Sequence, residues 1–469
     1  MTKSQASDTN RRNHFTKSKF ITRSIHALLI FVMLVLFAFR VHDQLNSGPA
    51  SSDAIQYMTM AFNFVNFGTL SLDAQSTQPQ PTAYRAPGYP IFVAAALSIT
   101  GEARDVDLDE FLRKNLPGVK IFQTFLIFCT AIAAAAMTWQ LTGALFLTYV
   151  PFFGIACTSA LHNLSSNLLS EPLAAFLLIM FAWSLLWSIE SKKIGAFISA
   201  GALAALLALT RSTFFYVWPL VLILFIIFGN RSQSWRGQIG ALTFMAIFLA
   251  ITGSWMARNK YHFDEAIITE RGGLALYFRA QYDQMTGDEY LASFCFWSKC
   301  PSISRKISRF GRDDYLRLGR TDPSSYYRLA RAKRNELNLE MGNSIKADAV
   351  LKREALKYFL DNPTSHLLVT LPMAHRGIYV HSCVVSLFAV TICLVMVAHS
   401  VIRLDGRMLA VLLPFVFLFV FTSFFTMAEP RYNQPAIPVI WIAVSVFLHR
   451  LFDYANNVRY ESKQAFDSV

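Results

Sequence analysis

The chain has 469 residues, of which 54% are hydrophobic and 16% are charged, and its mean hydropathy is +0.37. Soluble domains carry about 25% charged residues, so this composition excludes an ordinary soluble protein and favours a bilayer protein. The formal net charge of +13 would suit nucleic acid, but the basic residues mostly lie between apolar runs, where they anchor helix ends, so no nucleic-acid partner is predicted.

The N-terminal segment is polar and basic over residues 1–24, and the apolar run Ile25–Phe39 follows it. Basic residues before a first span place the N-terminus in the cytoplasm. A cleaved signal peptide is the alternative, because the run is short and small residues follow it. We predict a cytoplasmic tail over 1–24, a first transmembrane helix over 25–41 and a first external loop over 42–89.

The first external loop contains an apolar segment that Ser51 or Ser52 can cap, so that a helix begins near Asp53. Asp53 and Tyr57, four residues apart, then share one face of that helix. Such an apolar helix beside a span should lie in the plane of the membrane interface. The pattern therefore predicts a carboxylate at the depth of the lipid headgroups.

Ten further apolar runs follow, and a helix needs about 20 residues to cross the bilayer, so some runs must extend into their flanks and ten or eleven transmembrane segments are expected. Pro90–Thr100 is short enough to be re-entrant, and the sequence leaves this open. The runs are Pro90–Thr100, Ile121–Trp139, Leu141–Leu161, Leu168–Ile189, Ile194–Thr210, Phe214–Phe228, Ile239–Met256, Val380–Val401, Met408–Met427 and Ile437–Leu448.

The basic loops around Lys192, Arg231 and Arg403 are placed in the cytoplasm. This orientation is consistent except around Pro90–Thr100, where parity requires either a re-entrant segment or a tight pair. The predicted fold is an all-α polytopic membrane protein with interfacial helices in the first external loop and an external helical domain. The expected parts after the first loop are a transmembrane bundle over 90–256, an external domain over 257–365, C-terminal transmembrane helices over 366–451 and a cytoplasmic tail over 452–469.

The external domain is expected to be amphipathic rather than disordered. Asp322-Pro323 predicts a helix start, and Gly272-Gly273 is expected to permit a tight turn. The many arginines and lysines of this domain are expected to form a solvated face or to contact anionic lipid heads.

The cysteines and histidines predict no structural metal site, because the sequence has no CxxC pair, His-rich tract or HExxH motif. Cys295 and Cys300 share one polar segment, and a disulfide between them, which the sequence leaves open, would require an oxidising compartment. The other four cysteines lie in apolar runs and are interpreted as small hydrophobic residues.

An aspartate at headgroup depth suits one reaction in particular. Transfer of a sugar from a lipid phosphate needs a base for the proton of the acceptor, a role open to Asp53. The planar fork of arginine pairs with phosphate oxygens, a role open to Arg85. Each residue also has a structural interpretation: Asp53 can complement the dipole of its helix, and Arg85 can anchor the start of a span.

The first loop resembles that of the C-type integral membrane glycosyltransferases, in the group of protein mannosyltransferases and aminoarabinose transferases that use polyprenyl-phosphate sugars. The resemblance rests first on Asp53-x-x-x-Tyr57 and Tyr84-Arg85-Ala86-Pro87-Gly88-Tyr89-Pro90 in this loop. Four later stretches are similar to the same group and follow in the same order. They are Ser170-Glu171-Pro172-Leu173, Leu209-Thr210-Arg211-Ser212, Trp255 with Arg258-Asn259 and Gly272-Gly273, and Glu429-Pro430-Arg431-Tyr432 with Pro435 and Pro438. The chain departs from the group at Ala86, where a second proline is common, and at Ala54, since no paired acid stands beside Asp53.

The resemblance implies a polyprenyl-phosphate sugar donor held in a cavity that opens to the outer leaflet, with Asp53 as the catalytic base. No cofactor is predicted beyond that donor, and a need for a divalent metal is left open. The acceptor would be a glycolipid, a polysaccharide or a protein of the cell envelope, and the enzyme would lie in the inner (plasma) membrane. The implied substrate-binding residues are Tyr57, Tyr84, Arg85, Glu171, Arg211, Arg258, Arg431 and Tyr432.

Two other classes of function remain as alternatives. A multi-pass lipid or sugar transporter or flippase would be expected to show paired repeats and broken helices at bilayer depth. A polymerase or ligase of the O-antigen type also uses lipid-linked donors, but would be expected to place catalytic Arg and His in a late loop. The position of Asp53 in the first loop favours the transferase.

Overall fold

A computed structural model of the chain describes residues 28–45, 52–74, 78–229 and 236–467. The cytoplasmic tail predicted over 1–24 and the loop residue Arg231 lie outside this part. Within the described ranges all regular secondary structure is helical, which confirms the all-α fold class.

The first half of the chain forms eleven helices, some of them joined by short 3₁₀ turns. In chain order they are α1 Leu28–Leu45, α2 Ser52–Phe67, α3 Gly88–Thr100, α4 Leu108–Arg113, α5 Pro117–Thr142, α6 Tyr149–Ala156, α7 Ser159–Ser166, α8 Glu171–Ser191, α9 Ile194–Thr210, α10 Trp218–Gly229 and α11 Arg236–Phe263.

The second half of the described chain continues with shorter helices and then returns to long ones. These are α12 Gly272–Tyr282, α13 Gly287–Phe296, α14 Pro301–Ser304, α15 Asp313–Leu316, α16 Tyr326–Met341, α17 Ser344–Asp361, α18 Pro363–Gly377, α19 Cys383–Ile402, α20 Gly406–Phe425, α21 Pro430–Asn433 and α22 Ile437–Asp467.

Eight stretches of the described residues are long and apolar enough to cross a membrane, and α3, α9 and α10 are shorter apolar helices. Ten or eleven transmembrane segments were expected; eight in the described residues are long enough to cross, and the chain is a multi-pass membrane protein. The eight stretches are Leu28–Leu45, Pro117–Thr142, Leu145–Ser166, Glu171–Ser191, Gly237–Phe263, Cys383–Ile402, Gly406–Phe425 and Pro430–Ser462.

The membrane bundle is organised around α8, which is apolar on all sides and packs against α5, α9 and α20. On one side α9 packs against α11, and on the other α5 and α19 pack against α22. The buried side chains of these helices form one continuous hydrophobic core. This packing fixes the N-terminus of α8, and Glu171 at its first position, beside the end of α9.

The short helix α3 contains the run Pro90–Thr100, for which the sequence left open whether it spans the bilayer or re-enters. Its 13 residues span about 20 Å, less than the roughly 30 Å of the hydrocarbon core. At its start Gly88 lies against the end of α9, where a Cβ atom would come within 2.7 Å of Thr210 Oγ1 and 2.9 Å of the Leu209 carbonyl oxygen. Only glycine allows this approach, which brings the preceding loop with Arg85 to the site.

The helices α12–α18 build a second hydrophobic core, in which α12 packs against α16 and α17. This helical segment extends beyond the boundary expected at 365, since α18 runs to Gly377 and packs against α20. The helix predicted to start at Asp322-Pro323 instead begins at Tyr326. Ser325 caps it by accepting the backbone N–H of Arg328, whereas the Asp322 carboxylate accepts the N–H of Ser324 in a turn.

The glycine pair Gly272-Gly273 begins α12 rather than forming a tight turn. The N–H groups of Gly273 and Leu274 donate to the two carboxylate oxygens of Asp348 on α17, at 2.6 and 2.8 Å. A Cβ atom on Gly273 would collide with the backbone carbonyl of Asp348, whereas one on Gly272 would meet nothing within 4 Å.

Gly273→Ala should therefore destabilise the protein by about 1–3 kcal/mol, because α17 must move away from α12 to make room. Gly272→Ala is the matched control and should leave stability nearly unchanged. Melting temperatures in detergent measure both effects. Equal melting temperatures of the two variants would contradict the close contact.

A disulfide joins Cys300, immediately before α14, to Cys383, the first residue of α19, with the two Cα atoms 5.0 Å apart. The pairing of Cys295 with Cys300 that the sequence left open does not form, since Cys295 is a free, buried thiol. The interpretation of Cys383 as a plain small hydrophobic residue was wrong. The bond fixes the α12–α18 segment to the start of a membrane-spanning helix.

Replacing Cys300 and Cys383 together by Ser should lower the stability by about 2–4 kcal/mol, because the unfolded chain gains the freedom of a long loop. The melting temperature in detergent and thiol alkylation of the protein as isolated measure this effect. Cys157→Ser, at an exposed free cysteine, is the control. Full alkylation of Cys300 and Cys383 in wild-type protein would exclude the bond.

Candidate active site

A polar cavity of about 820 Å³ lies where α2, the loop before α3, the start of α8, the end of α9 and the α12–α18 segment meet. Its wall carries seven arginines and three carboxylates. The arginines are Arg85, Arg211, Arg271, Arg320, Arg331, Arg334 and Arg431, and the carboxylates are Asp53, Glu171 and Glu270. The cavity is therefore strongly positive.

At one end of this cavity, Asp53 lies between two arginines. Arg85 Nη2 donates to Asp53 Oδ1 at 2.9 Å, and Arg431 Nη2 donates to Asp53 Oδ2 at 2.8 Å. Each carboxylate oxygen thus has its own guanidinium. The Asp53 side chain keeps 30% of its surface exposed, so it remains accessible from the cavity.

The helix α2 places Asp53, Gln56 and Tyr57 on the face that meets Arg85, as the four-residue spacing of Asp53 and Tyr57 predicted. Arg85 Nε and Nη2 donate to Gln56 Oε1 at 2.9 and 2.6 Å, and its guanidinium lies 4.9 Å from the centre of the Tyr57 ring. Arg85 is thereby held in a fixed orientation by three side chains of one helix.

The charges around Asp53 decide its protonation. Burial by itself would raise the pKa of Asp53, but the positive charges of Arg85 and Arg431 outweigh burial and lower the pKa to about 2. Burial would likewise lower the pKa of Arg85, yet the contacts with Tyr57 and Asp53 raise it. Asp53 is therefore a carboxylate, and Arg85 a cation, at any physiological pH.

A second ion pair joins two other predicted site residues. Arg211 Nη1 lies 2.8 Å from Glu171 Oε1, and the side chain of Glu171 is only 5% exposed. Both residues line the cavity, so the pair is both a link between α8 and α9 and a part of the cavity wall. The ring of Tyr432 lies within 6 Å of the guanidinium groups of Arg211 and Arg431.

Behind Arg431 lies Glu429, which the sequence reasoning did not select. Arg431 Nε donates to Glu429 Oε2 at 3.2 Å, Arg376 Nη2 lies 3.5 Å from Oε1, and Arg320 also pairs with this carboxylate. Glu429 and Arg431 also line a neighbouring cavity of about 650 Å³ that includes Lys299 and His381. Arg431 thus contributes to the walls of two adjoining cavities.

Of the predicted site residues, eight line the larger cavity and one does not. Arg258 donates instead to the carbonyl of Thr82 at 3.0 Å and to Asn259 Oδ1 at 2.8 Å, so it supports the loop that carries Arg85. The eight are Asp53, Tyr57, Tyr84, Arg85, Glu171, Arg211, Arg431 and Tyr432.

Several cavity residues were missed because their signal is spread over the α12–α18 segment. Arg271, Arg320, Arg331 and Arg334 were assigned to a solvated face, but all four line the cavity. Gln56 and Glu429 could have been predicted from the sequence. Each stands within three residues of a predicted site residue, in the same short motif.

In the described part of the chain no group of three or more His, Cys, Asp or Glu side chains is arranged to hold a metal ion. Asp53 has arginines rather than acids as its close charged neighbours. The arrangement suits the binding of an anion beside a carboxylate.

Comparison with solved structures finds a fold in common with the crystal structure of an oligosaccharyltransferase from Archaeoglobus fulgidus, in complex with Zn and sulfate, at a TM-score of 0.50 and 12% identity. The match covers 90% of this chain and 49% of the other, so the chain spans about half the length of that protein. This match shows the fold that was expected from the resemblance of the first external loop.

Two further structures match less well. The oligosaccharyltransferase AglB from Archaeoglobus fulgidus, in complex with an inhibitory peptide and a dolichol-phosphate, matches at a TM-score of 0.49 and 12% identity over 92% of this chain and 51% of the other. ArnT from Cupriavidus metallidurans, bound to undecaprenyl phosphate, matches at a TM-score of 0.38 and 11% identity. That match covers 90% of this chain and 77% of the other. No protein-family model and no curated protein matches the sequence.

Proposed function

We propose that the chain is a membrane glycosyltransferase that moves a sugar from a polyprenyl-phosphate donor to a glycolipid, polysaccharide or protein of the cell envelope. The observation that carries the proposal is the carboxylate of Asp53 held between Arg85 and Arg431 at the end of a large cationic cavity. The fold shared with an oligosaccharyltransferase supports it.

In the proposed reaction the acceptor oxygen forms a bond to the anomeric carbon of the sugar, while the bond from that carbon to the phosphate oxygen breaks. The bonding electrons leave with polyprenyl phosphate, whose growing charge Arg85 and Arg431 stabilise. The proton of the acceptor hydroxyl passes to Asp53. Tyr57, Tyr84 and Tyr432 line the space in which the sugar would lie.

A carboxylate with a low pKa is a weak base, so the scheme requires that the bound donor raise the pKa of Asp53. A phosphate bound to Arg85 and Arg431 brings a negative charge to within a few ångströms of the carboxylate and shares its two cations. Both effects raise the pKa of a carboxylate. In the proposal, binding of the donor therefore makes Asp53 a better base at the moment when the acceptor needs one.

The proposed location is the plasma (inner) membrane, with the N-terminus in the cytoplasm and the cavity on the outer face. The disulfide between Cys300 and Cys383 supports this orientation, because disulfides persist in oxidising compartments. The α12–α18 segment, which carries Cys300 and lines the cavity, would then lie outside the cytoplasm.

Mass spectrometry of envelope glycolipids, polysaccharides and glycoproteins from a deletion strain tests the proposal. One sugar should be missing and should return when the wild-type chain is expressed, but not when Asp53→Asn is expressed. An unchanged glycan profile in the deletion strain would refute a role in envelope glycosylation.

A further inference from the structure

The arginines of the cavity fall into two groups that differ in their partners. In the first group Arg85, Arg211 and Arg431 each have a carboxylate oxygen within 3 Å, and Arg320 pairs with Glu429. The second arginine group, which comprises Arg271 before α12 and Arg331 and Arg334 on α16, has no such contact in the described part of the chain.

Arg334 is the most unusual member of the second arginine group. Its side chain is only 7% exposed and its nearest carboxylate oxygen, on Glu270, is 3.8 Å away. Both terminal nitrogens of Arg334 are buried without a hydrogen-bond partner. The charges of Glu270 and Asp348 balance that of Arg334, but neither carboxylate accepts a hydrogen bond from it, and a buried guanidinium without acceptors is unfavourable.

The second arginine group lies beside the proposed donor site. The guanidinium groups of Arg271 and Arg334 lie 5.1 and 5.4 Å from the centre of the Tyr84 ring, and that of Arg85 lies 5.8 Å from the same point. Tyr84 thus separates the Arg85 end of the cavity from the second group, and a molecule in the cavity can contact both.

The charges in the cavity exceed what the donor can neutralise. Its seven arginines face three carboxylates, or five when Glu429 behind Arg320 and Arg431 and the buried Asp348 near Arg271 and Arg334 are included. A sugar joined to a polyprenyl chain through one phosphate is a diester with a single negative charge, and the guanidinium forks of Arg85 and Arg431 suffice for its two free oxygens. An excess of positive charge therefore remains at the second arginine group.

We propose that Arg271, Arg331 and Arg334 form a second anion subsite that binds a phosphate or carboxylate group of the acceptor. The subsite rests on the proposed function, since it places a negatively charged acceptor next to the donor phosphate and to Asp53. It selects among the acceptors left open, because an uncharged glycan or a neutral protein segment would bring no anionic oxygen to the terminal nitrogens of Arg334.

Binding of two probes to the full-length protein in nanodiscs of neutral lipid tests the subsite. Inorganic phosphate stands for the acceptor group, and undecaprenyl phosphate stands for the donor. In the presence of saturating undecaprenyl phosphate, wild-type protein should still bind inorganic phosphate. Arg334→Gln should weaken this binding by about 10- to 100-fold, the loss of one or two charge-assisted hydrogen bonds, and should leave the affinity for undecaprenyl phosphate unchanged.

Arg353→Gln is the matched control, because Arg353 is an exposed arginine of α17 that does not line the cavity. It should bind both probes as wild type does. Without phosphate, Arg334→Gln is expected to melt somewhat lower than wild type, because Glu270 loses the cation that lies 3.8 Å away, so the phosphate affinity decides the test. A lower melting temperature with unchanged phosphate affinity would show that Arg334 is structural and would overturn the subsite.

Two other outcomes separate the subsite from the proposed function. If undecaprenyl phosphate displaces all inorganic phosphate, and Arg334→Gln weakens the lipid equally, the second arginine group belongs to the donor site and the proposal is overturned. If inorganic phosphate binds through Arg334 but undecaprenyl phosphate does not bind at all, the anion subsite stands and the glycosyltransferase function fails.

Discussion

Asp53→Asn is expected to lower sugar transfer by about 10² to 10⁴-fold, the contribution of a positioned general base, while the protein still folds and inserts. Asn keeps the size and polarity of the side chain but cannot accept the proton of the acceptor. Because Asp53 is partly exposed, the loss of its ion pairs should change stability by about 1 kcal/mol or less.

Transfer measured in membranes with polyprenyl-phosphate sugars, together with the melting temperature, checks this expectation. Asp109→Asn, at an exposed acid on α4, is the control for a lost carboxylate and should behave like wild type. If the Asp53→Asn enzyme kept wild-type transfer, Asp53 would not be the base, and a role limited to orienting Arg85 and Arg431 would remain.

Arg85→Lys is expected to raise the donor concentration needed for half-maximal transfer by about 10- to 100-fold, because a lysine ammonium cannot form the two-pronged contact with phosphate. The arginine fork also holds Asp53 and Gln56 at once, which a single ammonium group cannot reproduce with the same geometry. The charge is kept, so a change in donor dependence would report geometry rather than the sign of the charge.

Initial rates over a range of donor concentrations, at fixed acceptor, measure the effect. Arg104→Lys, at an exposed arginine after α3, is the control. An unchanged dependence on donor concentration in Arg85→Lys would argue that the phosphate binds elsewhere in the cavity.

The parts of the site that the sequence predicted are those with a short local motif. Asp53 and Tyr57 lie on one helical face because a four-residue spacing makes them neighbours on any helix. Arg85 and Arg431 stand in proline-bearing loops whose residue order resembles that of a known group, so they could be selected without knowledge of the packing.

The second arginine group could not be predicted in the same way. The segment around α16 carries many basic residues, and one face of the helix can only be distinguished from another once its packing partner is known. Arg334 is buried because α16 packs against α12, a contact between segments that are distant in sequence. Without that contact, a solvated face was the reasonable interpretation.

The position of Arg258 and the partner of Cys300 could not be predicted from the sequence, for related reasons. Arg258 lies near the end of α11, close in sequence to the predicted site, but its direction on the helix turns it toward Thr82. Cys300 and Cys383 are 83 residues apart, and the pairing of cysteines at such a separation depends on the tertiary fold.

The ion pair between Asp53 and Arg431 joins residues that are 378 positions apart. Nearly the whole chain must therefore be synthesised before Arg431 is available to pair with Asp53. A chain that stops before α21 lacks Arg431, so its Asp53 is without this ion pair. Activity would then appear only after the final helices have entered the bilayer, and separately expressed N- and C-terminal fragments should regain it only by associating.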